Sequence, residues 1–357
     1  MLTKVKFALL GCSHPHSRMH LRTLLLLEEV EAVCLWDPEE EALAARQAEG
    51  GERIAAASTD LEAILSQKDV DFVLVARRND ETPDTIIRAA QAGKHVLTEK
   101  PLATSVAEAE RALAAVREAG VTLGVYYCVR FNPVVQDLRR WVAEGMFGRP
   151  LAVEVRLITS QVKFRNPQHW LFDREKAGGG ILSWLACHYI DLVHYILQDE
   201  FEAVTALVDT LSGEDISVED VAAVAFRLRR GTLGTLQAGY MLPRSRAGYE
   251  GATYDTYFAL KGTDGGFKWE PFERVQPQVH LESVASAWVG APERIVTYHF
   301  EPSPAYGGRA GLEFVRAFLQ AAQRGEPPPV TGEDALRVLR FVEAAYESSR
   351  TGQRVQV

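Results

Sequence analysis

Short apolar runs alternate with amphipathic stretches along the first third of the chain. The runs at 5–10 and 71–76 are almost wholly apolar, as strands are when helices cover both faces of a sheet. The stretches between the runs carry apolar residues at helical spacing, and the one that begins at Pro83 ends at Gly93, a residue typical of helix C-termini. This alternation predicts an α/β fold with a parallel sheet. Further strands are predicted at 31–37 and 95–100, and helix caps at Ser58–Asp60 and Ser105.

The pattern changes after residue 122. A helix predicted from Pro133 to Glu144 is followed by longer segments in which apolar and polar residues alternate. Such period-two patterning is typical of a mostly antiparallel sheet with one covered face. Turn-forming residues at 229–232 and 263–266 predict hairpins between these strands. The predicted strands are 151–158, 203–210, 221–229, 232–240 and 253–261, and two final helices are predicted near 311–324 and 332–349.

The two patterns predict two domains, 1–122 and 123–357, with last helices that could pack back on the first domain. A chain of 357 residues is long enough for two cores. Its net charge of −9 argues against nucleic-acid binding. The four cysteines form no paired motif, which favours a reducing, cytoplasmic compartment. We expect no membrane contact, because no apolar run approaches the ~20 residues that span a bilayer, and the apolar start predicts a strand rather than a lipoprotein signal.

The loop after the first strand occupies the place of a dinucleotide fingerprint. A fingerprint reads G-x-G-x-x-G, and its glycines let the backbone approach a pyrophosphate at a helix N-terminus. The loop here is Gly11-Cys12-Ser13-His14-Pro15-His16, so Ser13 and His16 replace the second and third glycines. The Ser13 hydroxyl could donate a hydrogen bond to phosphate, and His16 could add partial positive charge. Taken alone, the loop is more typical of a plain strand–helix turn.

Asp37 strengthens the dinucleotide interpretation. It ends the second predicted strand, where a carboxylate binds the ribose hydroxyls of adenosine. Because a carboxylate repels a 2′-phosphate, we expect residues 11–16 and Asp37 to bind NAD, with NADP less favoured. The alternative is that Asp37-Pro38 only starts a helix.

Two further segments suit catalysis. Lys100, within Glu99-Lys100-Pro101, ends a predicted parallel strand, where it could bind a substrate hydroxyl and stabilise developing negative charge. His188 follows three glycines at 178–180, and a histidine can transfer protons near neutral pH. Helical spacing predicts that His188 shares one face with Trp184 and Asp191, and Asp191 could orient His188 or bind substrate. His14, His16 and His20 lack a carboxylate in a metal-binding pattern, so no metal is expected.

Together these segments resemble the glucose–fructose oxidoreductase, inositol dehydrogenase and rhizopine-catabolism family over essentially the whole chain. The most specific motifs are Glu99-Lys100-Pro101, Arg130-Phe131-Asn132-Pro133, Gly148-Arg149-Pro150, Gly178 to Asp191, and Glu219-Asp220. The resemblance implies a Rossmann domain that binds NAD or NADP, followed by an α/β domain with a large, mostly antiparallel open sheet. It also implies sugar or polyol substrates and a homo-oligomer, a dimer or tetramer formed through the second sheet.

The resemblance also implies roles for individual residues. Lys100 would touch substrate and nicotinamide, His188 would be the catalytic histidine, and Pro101 would follow a cis peptide bond. The implied cofactor contacts include Ala76, Arg77, Asn79, Glu99, Lys100 and Arg130, and the implied substrate contacts are Lys100, Arg130, His169, Trp170, Trp184, His188 and Asp191.

The chain departs from the family pattern at the two replaced glycines, at Thr82 in the place of a histidine, and at Trp184 in the place of an aspartate. The predicted function is hydride transfer between NAD(H) and a carbohydrate-like hydroxyl or carbonyl at the domain junction. Trp184 leaves two alternatives open. One is elimination or glycoside cleavage with a tightly bound NAD, and the other is a non-catalytic dinucleotide-binding regulatory protein.

Overall fold

A computed structural model describes residues 4–243, 252–271 and 276–357 of the chain. The chain forms two compact units. The first combines the residues up to Phe131 with Pro302–Leu336, and the second combines Asn132–Glu301 with Arg337–Val357. The first unit thus ends at Phe131 and takes in the later segment Pro302–Leu336. The predicted domain boundary at 122/123 stays a prediction.

The helices and strands alternate in the first part of the chain and cluster by type in the second. In chain order they are β1 Val5–Leu10, α1 Ser17–Leu26, β2 Val30–Trp36, α2 Glu40–Gly50, β3 Ile54–Ser58, α3 Leu61–Leu65, β4 Val70–Val75, α4 Thr82–Gln91, β5 His95–Thr98, α5 Val106–Ala119, β6 Leu123–Val125, α6 Pro133–Ala143, β7 Pro150–Ser160, α7 Arg174–Ala177, α8 Cys187–Leu197, β8 Phe201–Asp209, β9 Val221–Leu228, β10 Leu233–Leu242, β11 Tyr254–Gly262, β12 Gly265–Trp269, β13 Gln278–Ser283, β14 Glu293–Thr297, α9 Gly308–Arg324, α10 Gly332–Thr351 and β15 Val355–Gln356.

The first unit contains a parallel sheet of six strands in the order β3-β2-β1-β4-β5-β6. Its central strands are buried on both faces, because Leu9 and Leu10, whose side chains point to opposite sides of β1, are both 0% exposed. In this doubly wound order the connections leave β1 in opposite directions, so the C-terminal ends of β1 and β4 form the switch point where such sheets bind ligands. The predicted parallel α/β fold is confirmed.

Local side-chain caps define several helix starts in this unit. The Asp60 carboxylate accepts from the Glu62 backbone N–H at the start of α3, and the Ser105 hydroxyl accepts from the Glu108 N–H in α5, as predicted. The prediction that Pro38 opens a helix is wrong, because α2 begins at Glu40.

The second unit contains a sheet of nine strands in the order β14-β13-β12-β11-β7-β10-β9-β8-β15. Among the described strands only β7 and β10 pair in parallel, so the sheet is mostly antiparallel, as predicted. The predicted hairpins join β9 to β10 and β11 to β12. Buried and exposed residues alternate along β9 and β10, which leaves one face of the sheet open in a single chain.

Within the part of the chain that the structure describes, one helical stretch is long and apolar enough to cross a membrane, judged by length and composition alone. It covers Arg174–Leu197, and the expectation that no apolar run approaches this length is therefore wrong. In the structure 83% of its apolar window is buried, and α8 packs against β7 and α6. This packing inside the second unit accounts for the apolar character of the stretch.

Candidate active site

Gly11 is required where β1 ends. Its φ is 119°, and a Cβ atom on this residue would lie 1.9 Å from the carbonyl oxygen of Ala76. The backbones that leave β1 and β4 therefore approach too closely for any side chain at Gly11. The first glycine of the predicted fingerprint and Ala76 thus meet at the switch point of the sheet.

Asp37 ties this loop to the end of β2. Its Oδ2 accepts hydrogen bonds from the Cys12 N–H at 2.6 Å, the Ser13 N–H at 2.9 Å and the Ser13 hydroxyl at 3.0 Å, while Oδ1 accepts from the Glu39 N–H at 2.9 Å. The carboxylate is 0% exposed. Ser13 therefore donates its hydroxyl hydrogen to Asp37 in this structure rather than pointing it away toward an anion.

Arg77 covers the Asp37 carboxylate. Its Nη1 lies 3.5 Å from Asp37 Oδ2, its guanidinium carbon lies 4.9 Å from the centre of the Trp36 ring, and its Nη2 pairs with Glu81. A guanidinium can stack on an aromatic face while its edge donates hydrogen bonds. Two predicted cofactor residues, Asp37 and Arg77, are thus brought together.

His16, at the third glycine position of the loop, binds Glu99. The Nδ1 of His16 lies 2.8 Å from Glu99 Oε1, and the Nε2 of His20 lies 2.5 Å from the same oxygen. The Lys100 N–H donates to Glu99 Oε2 at 3.0 Å. We call His16, His20 and Glu99 the Glu99 cluster. It supplies the carboxylate that the sequence did not reveal beside these histidines.

Burial and charge act in opposite directions on His16 and Glu99. Burial lowers the pKa of His16 to about 4, despite the attraction of Glu99. Burial alone would raise the pKa of Glu99, but its interactions with His16 and His20 hold that pKa well below its usual range. The expectation that His16 carries partial positive charge for an anion is therefore wrong, because the ring is buried, neutral and directed at a carboxylate.

The same region brings together three potential metal ligands. One ligand atom each from His14, His16 and Glu99 lies within 4.8 Å of the others. However, His14 Nδ1 accepts a hydrogen bond from the His16 backbone N–H at 3.1 Å, so the neutral ring carries its proton on Nε2. A metal ion at that Nε2 would require the His14 ring to give up this bond. The observed contacts thus describe a hydrogen-bond network.

Lys100 follows the C-terminal end of β5 and is 1% exposed. The Lys100–Pro101 peptide bond is cis, as the family resemblance implied. Lys100 is thus shielded from bulk solvent at the edge of the sheet where ligands bind in such folds.

The remaining predicted cofactor residues of the first unit are largely buried. Arg130 forms an ion pair with Asp334, with nitrogen–oxygen distances of 3.3 Å, and although burial opposes ionisation, this pairing lowers the pKa of Asp334 to about 2. Asn79 is buried, and Pro15 is partly exposed. Arg130 therefore holds the beginning of α10, a contact that competes with its predicted role toward cofactor or substrate.

The three glycines of the second unit serve the protein's own packing. A Cβ on Gly180 would lie 1.9 Å from the Glu219 carbonyl oxygen, and a Cβ on Gly179 would lie 1.9 Å from the Tyr346 hydroxyl oxygen. Glu219 accepts hydrogen bonds from the N–H groups of Gly180 at 2.8 Å and Leu182 at 3.0 Å, and from the Tyr346 hydroxyl at 2.9 Å. Glu219 and Tyr346 thus explain why the backbone needs glycine here.

A π-helical turn, Leu182–Ala186, precedes α8. A π turn holds an additional residue, so Trp184 lies in a π turn and His188 in an α-helix, and their alignment on one face stays a prediction. Trp184 is buried, with its ring centre 5.8 Å from that of Trp170 in an edge-to-face arrangement. His188 lies in the first turn of α8 and is partly exposed, whereas Asp191 in the next turn is buried.

His169 and Trp170 lie in a short 3₁₀ turn rather than in an open loop. The His169 Nδ1 accepts a hydrogen bond from the Leu171 N–H at 3.3 Å and so caps this turn. Both side chains are partly exposed, and burial lowers the pKa of His169. The structure thus joins Trp170 to Trp184 and leaves His169 accessible.

Several residues that organise the site were not predicted. His20 binds Glu99, Asp334 pairs with Arg130, and Tyr346 binds Glu219. One signal was present for His20, because it follows His16 at i+4 on α1. The other two act over sequence distances that no local pattern reports.

The first unit fits a dinucleotide. The Arg77 Nε is buried and has no hydrogen-bond partner among the described residues, which leaves a charged donor for a ribose or phosphate oxygen. It lies beside Asp37, at the position of the ribose-binding carboxylate, and near the glycine loop at the switch point. Residues 11–13, Asp37 and Arg77 would hold the adenosine side of such a ligand.

Comparison with known proteins agrees with this assignment. The family model described as "Oxidoreductase family, NAD-binding Rossmann fold" matches residues 5–127, and the model described as "Oxidoreductase family, C-terminal alpha/beta domain" matches residues 139–357. Together the two models cover both units.

Individual relatives match along most of their length. The 1,5-anhydro-D-fructose reductase of Ensifer adhaerens is 27% identical, over 92% of this chain and 91% of that protein. The myo-inositol 2-dehydrogenase of Thermotoga maritima is 27% identical over 95% of both chains. Among solved structures, the WlbA dehydrogenase from Bordetella pertussis in complex with NADH and UDP-GlcNAcA matches with a TM-score of 0.80 and 26% identity, covering 99% of both chains.

A further structure supports the fold alone. Levoglucosan dehydrogenase in complex with NADH and levoglucosan matches with a TM-score of 0.85 and 23% identity, covering 99% of this chain and 100% of that one. The chain therefore belongs to the glucose–fructose oxidoreductase, inositol dehydrogenase and rhizopine-catabolism family of oxidoreductases, and its first unit contains the NAD-binding Rossmann fold of that family.

Proposed function

We propose that this oxidoreductase catalyses reversible hydride transfer between NAD(H) and a hydroxyl or carbonyl group of a sugar, polyol or related compound. The observation that carries the proposal is the buried Lys100 at the C-terminal end of β5, next to a glutamate fixed by two histidines. Relatives named as reductases and dehydrogenases of sugars and inositol support the substrate class.

Lys100 and His188 would divide the work of the reaction. Bound NAD supplies the hydride acceptor, and the side chains of this chain handle the substrate oxygen and its proton. Lys100 would donate a hydrogen bond to that oxygen and stabilise its developing negative charge. His188, partly exposed at the start of α8, would accept the hydroxyl proton.

Besides Lys100 and His188, three predicted substrate residues remain in the proposal, and the other two are assigned to contacts within the protein. His169 and Trp170 are partly exposed, and Asp191 follows His188 by one turn. Arg130, by contrast, is held by Asp334, and Trp184 is buried against Trp170. The alternative functions based on Trp184, elimination and cofactor sensing, are not favoured by the relatives, which are mostly named as dehydrogenases and reductases.

We also propose that NAD binds more tightly than NADP, since Asp37 lies where it would face a 2′-phosphate. The four cysteines are free thiols, which supports a reducing, cytoplasmic location.

The function is tested by a screen of sugars, polyols and their acids, followed at the nicotinamide absorbance with NAD and NADP in parallel. Turnover of at least one carbohydrate by the wild type, and its loss in Lys100→Ala, is the expected result. Binding of NADH without turnover of any compound in the screen would favour the regulatory alternative, and glycoside conversion without net NADH would favour elimination.

Assembly through the open face of the nine-stranded sheet is proposed as well. Leu207 on β8 is 76% exposed and Leu233 on β10 is 51% exposed in the single chain, and apolar side chains exposed on a sheet face mark interaction surfaces. A homodimer or homotetramer would cover them. Sedimentation of the wild type and Leu207→Lys tests this, and a monomeric wild type would contradict it.

A further inference from the structure

The side chain of Arg77 lies over the glycine loop and against the Asp37 carboxylate. Its side chain crosses the glycine loop, since a Cβ on Gly11 would lie 3.1 Å from Arg77 Cδ. Its guanidinium then lies between the Trp36 ring, the Asp37 carboxylate and Glu81. Any group that reaches Asp37 from this side meets Arg77 as well.

The bonding of the two side chains is unequal. Asp37 receives three short hydrogen bonds on Oδ2, from Cys12 and Ser13 of the glycine loop, and one on Oδ1, from Glu39 just before α2. Its contact with Arg77, at 3.5 Å, is the longest. Arg77 therefore holds Asp37 weakly, and its buried Nε has no hydrogen-bond partner among the described residues. The guanidinium retains donor capacity that Asp37 does not use.

This arrangement changes how the site would treat a 2′-phosphate. A bare carboxylate at this position repels the phosphate of NADP, but a guanidinium within ion-pair distance offsets that charge and offers a planar set of N–H donors suited to phosphate. Ribose hydroxyls, in contrast, can bind either partner. Asp37 alone would exclude NADP, whereas Asp37 paired with Arg77 would allow NADP to bind.

We infer that Arg77 is a specificity-determining residue of the cofactor site: it narrows the preference for NAD that Asp37 creates and allows NADP to bind. The inference rests on the proposed NAD(H)-dependent function. It assigns to this chain's Arg77 a contact with the adenosine ribose or its 2′-phosphate.

Arg78 provides a matched control, because this adjacent arginine shares the partner Glu81 with Arg77 but pairs with Asp80 where Arg77 pairs with Asp37. Its guanidinium pairs with Asp80 and Glu81 rather than Asp37. Replacing Arg77 or Arg78 removes the same charge from the same loop, so a difference between the two variants reports the contact with Asp37 rather than the net charge.

The experiment is calorimetric titration of wild type, Arg77→Met and Arg78→Met with NADH and with NADPH. We expect the ratio of the NADPH to the NADH dissociation constant to rise on the order of tenfold in Arg77→Met, because the Asp37 charge then faces the phosphate without a counter-ion. In Arg78→Met the ratio should stay within about twofold of the wild-type value. Arg77→Lys, which keeps the charge, should lie between wild type and Arg77→Met.

An unchanged ratio in a folded Arg77→Met protein, or an equal rise in Arg78→Met, would overturn the inference. If Arg77→Met fails to fold in a melting experiment, Arg77→Lys decides, since a ratio identical to that of wild type would then overturn it. A wild type that binds neither nucleotide would instead refute the proposed function on which the inference rests.

Discussion

Glu99 in the first unit and Glu219 in the second are both buried glutamates, but they are held in different ways. Glu99 accepts hydrogen bonds from the side chains of His16 and His20, whereas Glu219 accepts from two backbone N–H groups and the Tyr346 hydroxyl. Their pKa values move in opposite directions. Burial raises the pKa of Glu219, while the two histidines overcome burial at Glu99 and lower its pKa.

The two glutamates differ in what they contact: Glu99 lies beside Lys100, whereas Glu219 binds backbone N–H groups. Glu99 keeps its charge next to Lys100, whose backbone N–H it accepts, at the edge of the sheet where ligands bind. Glu219 joins the segment after the three glycines to α10 through Tyr346, and that segment leads into the helix that carries His188. Under the proposed function, the first glutamate would act beside the reacting groups, and the second would hold the backbone that leads to His188.

The largest expected effect is kinetic and concerns the groups that the two glutamates support. His188→Asn should lower turnover by roughly 10²–10⁴, the range for a positioned proton-transfer group, and Lys100→Ala by roughly 10²–10³, as for one donor to a developing oxyanion. Steady-state kinetics on a substrate from the screen, with melting curves to verify folding, measure both. Normal turnover in a folded His188→Asn protein would point to another base.

The next largest effect concerns Trp184 and tests whether its ring packs within the protein or binds the substrate. Because Trp184 is buried against Trp170, Trp184→Ala should lower the free energy of unfolding by about 3–5 kcal/mol through the cavity it leaves. Urea denaturation of this variant and of Trp170→Ala, at a partly exposed position, compares the two rings. A variant with wild-type stability and a raised KM would instead identify Trp184 as a platform for the sugar.

The fold was predictable wherever the hydrophobic pattern was strong. The alternating strands and helices of the Rossmann region and strands β7 to β11 all show clear periodicity. Strand β14 was not predicted, because it is short, lies at the edge of the sheet and is mostly exposed, so it shows no apolar alternation. Strand β13 was not predicted either, although Val279 and Leu281 are buried and alternate with exposed residues, because only six residues carry this pattern.

The site was predictable as a set of motifs but not as a network. Gly11, Asp37 and Lys100 could be placed from their positions after strands. The binding of His16 to Glu99 joins residues separated by 83 positions in the chain, and periodicity carries no information about such pairs. The π turn before α8 was equally hidden, because the composition of residues 182–186 is the same as that of an α-helical turn.

The pH dependence of stability should separate the two glutamates. Glu99 has a lowered pKa in the folded state, so its contribution is present above the unfolded value of about 4.5 and is lost as the pH falls toward the folded value. Glu219 has a raised pKa, so its contribution is present below about 4.5 and is lost as the pH rises through the folded value. Urea unfolding across the pH range gives the free energy of unfolding against pH for each variant. Glu99→Gln should weaken the loss of stability at low pH, and Glu219→Gln should weaken the loss at higher pH. The same change in both variants would show that the two glutamates do not differ in this way.

The smallest expected effect isolates the positional role of Glu219. Tyr346→Phe removes only the hydroxyl that donates to Glu219 at 2.9 Å, while the ring, which also packs beside Gly179, is retained. Losing one hydrogen bond to a buried carboxylate should lower the free energy of unfolding by about 1–2 kcal/mol. If Glu219 acts through the backbone after the glycines, KM and turnover should both shift slightly, without a change in the pH profile of turnover, because no proton-transfer group has been altered.

Tyr257→Phe, at a partly exposed position on β11, is the matched control and should change neither stability nor kinetics. A shifted pH profile in Tyr346→Phe would mean that Glu219 influences the ionisation of the reacting groups, so that both buried glutamates would act on the chemistry.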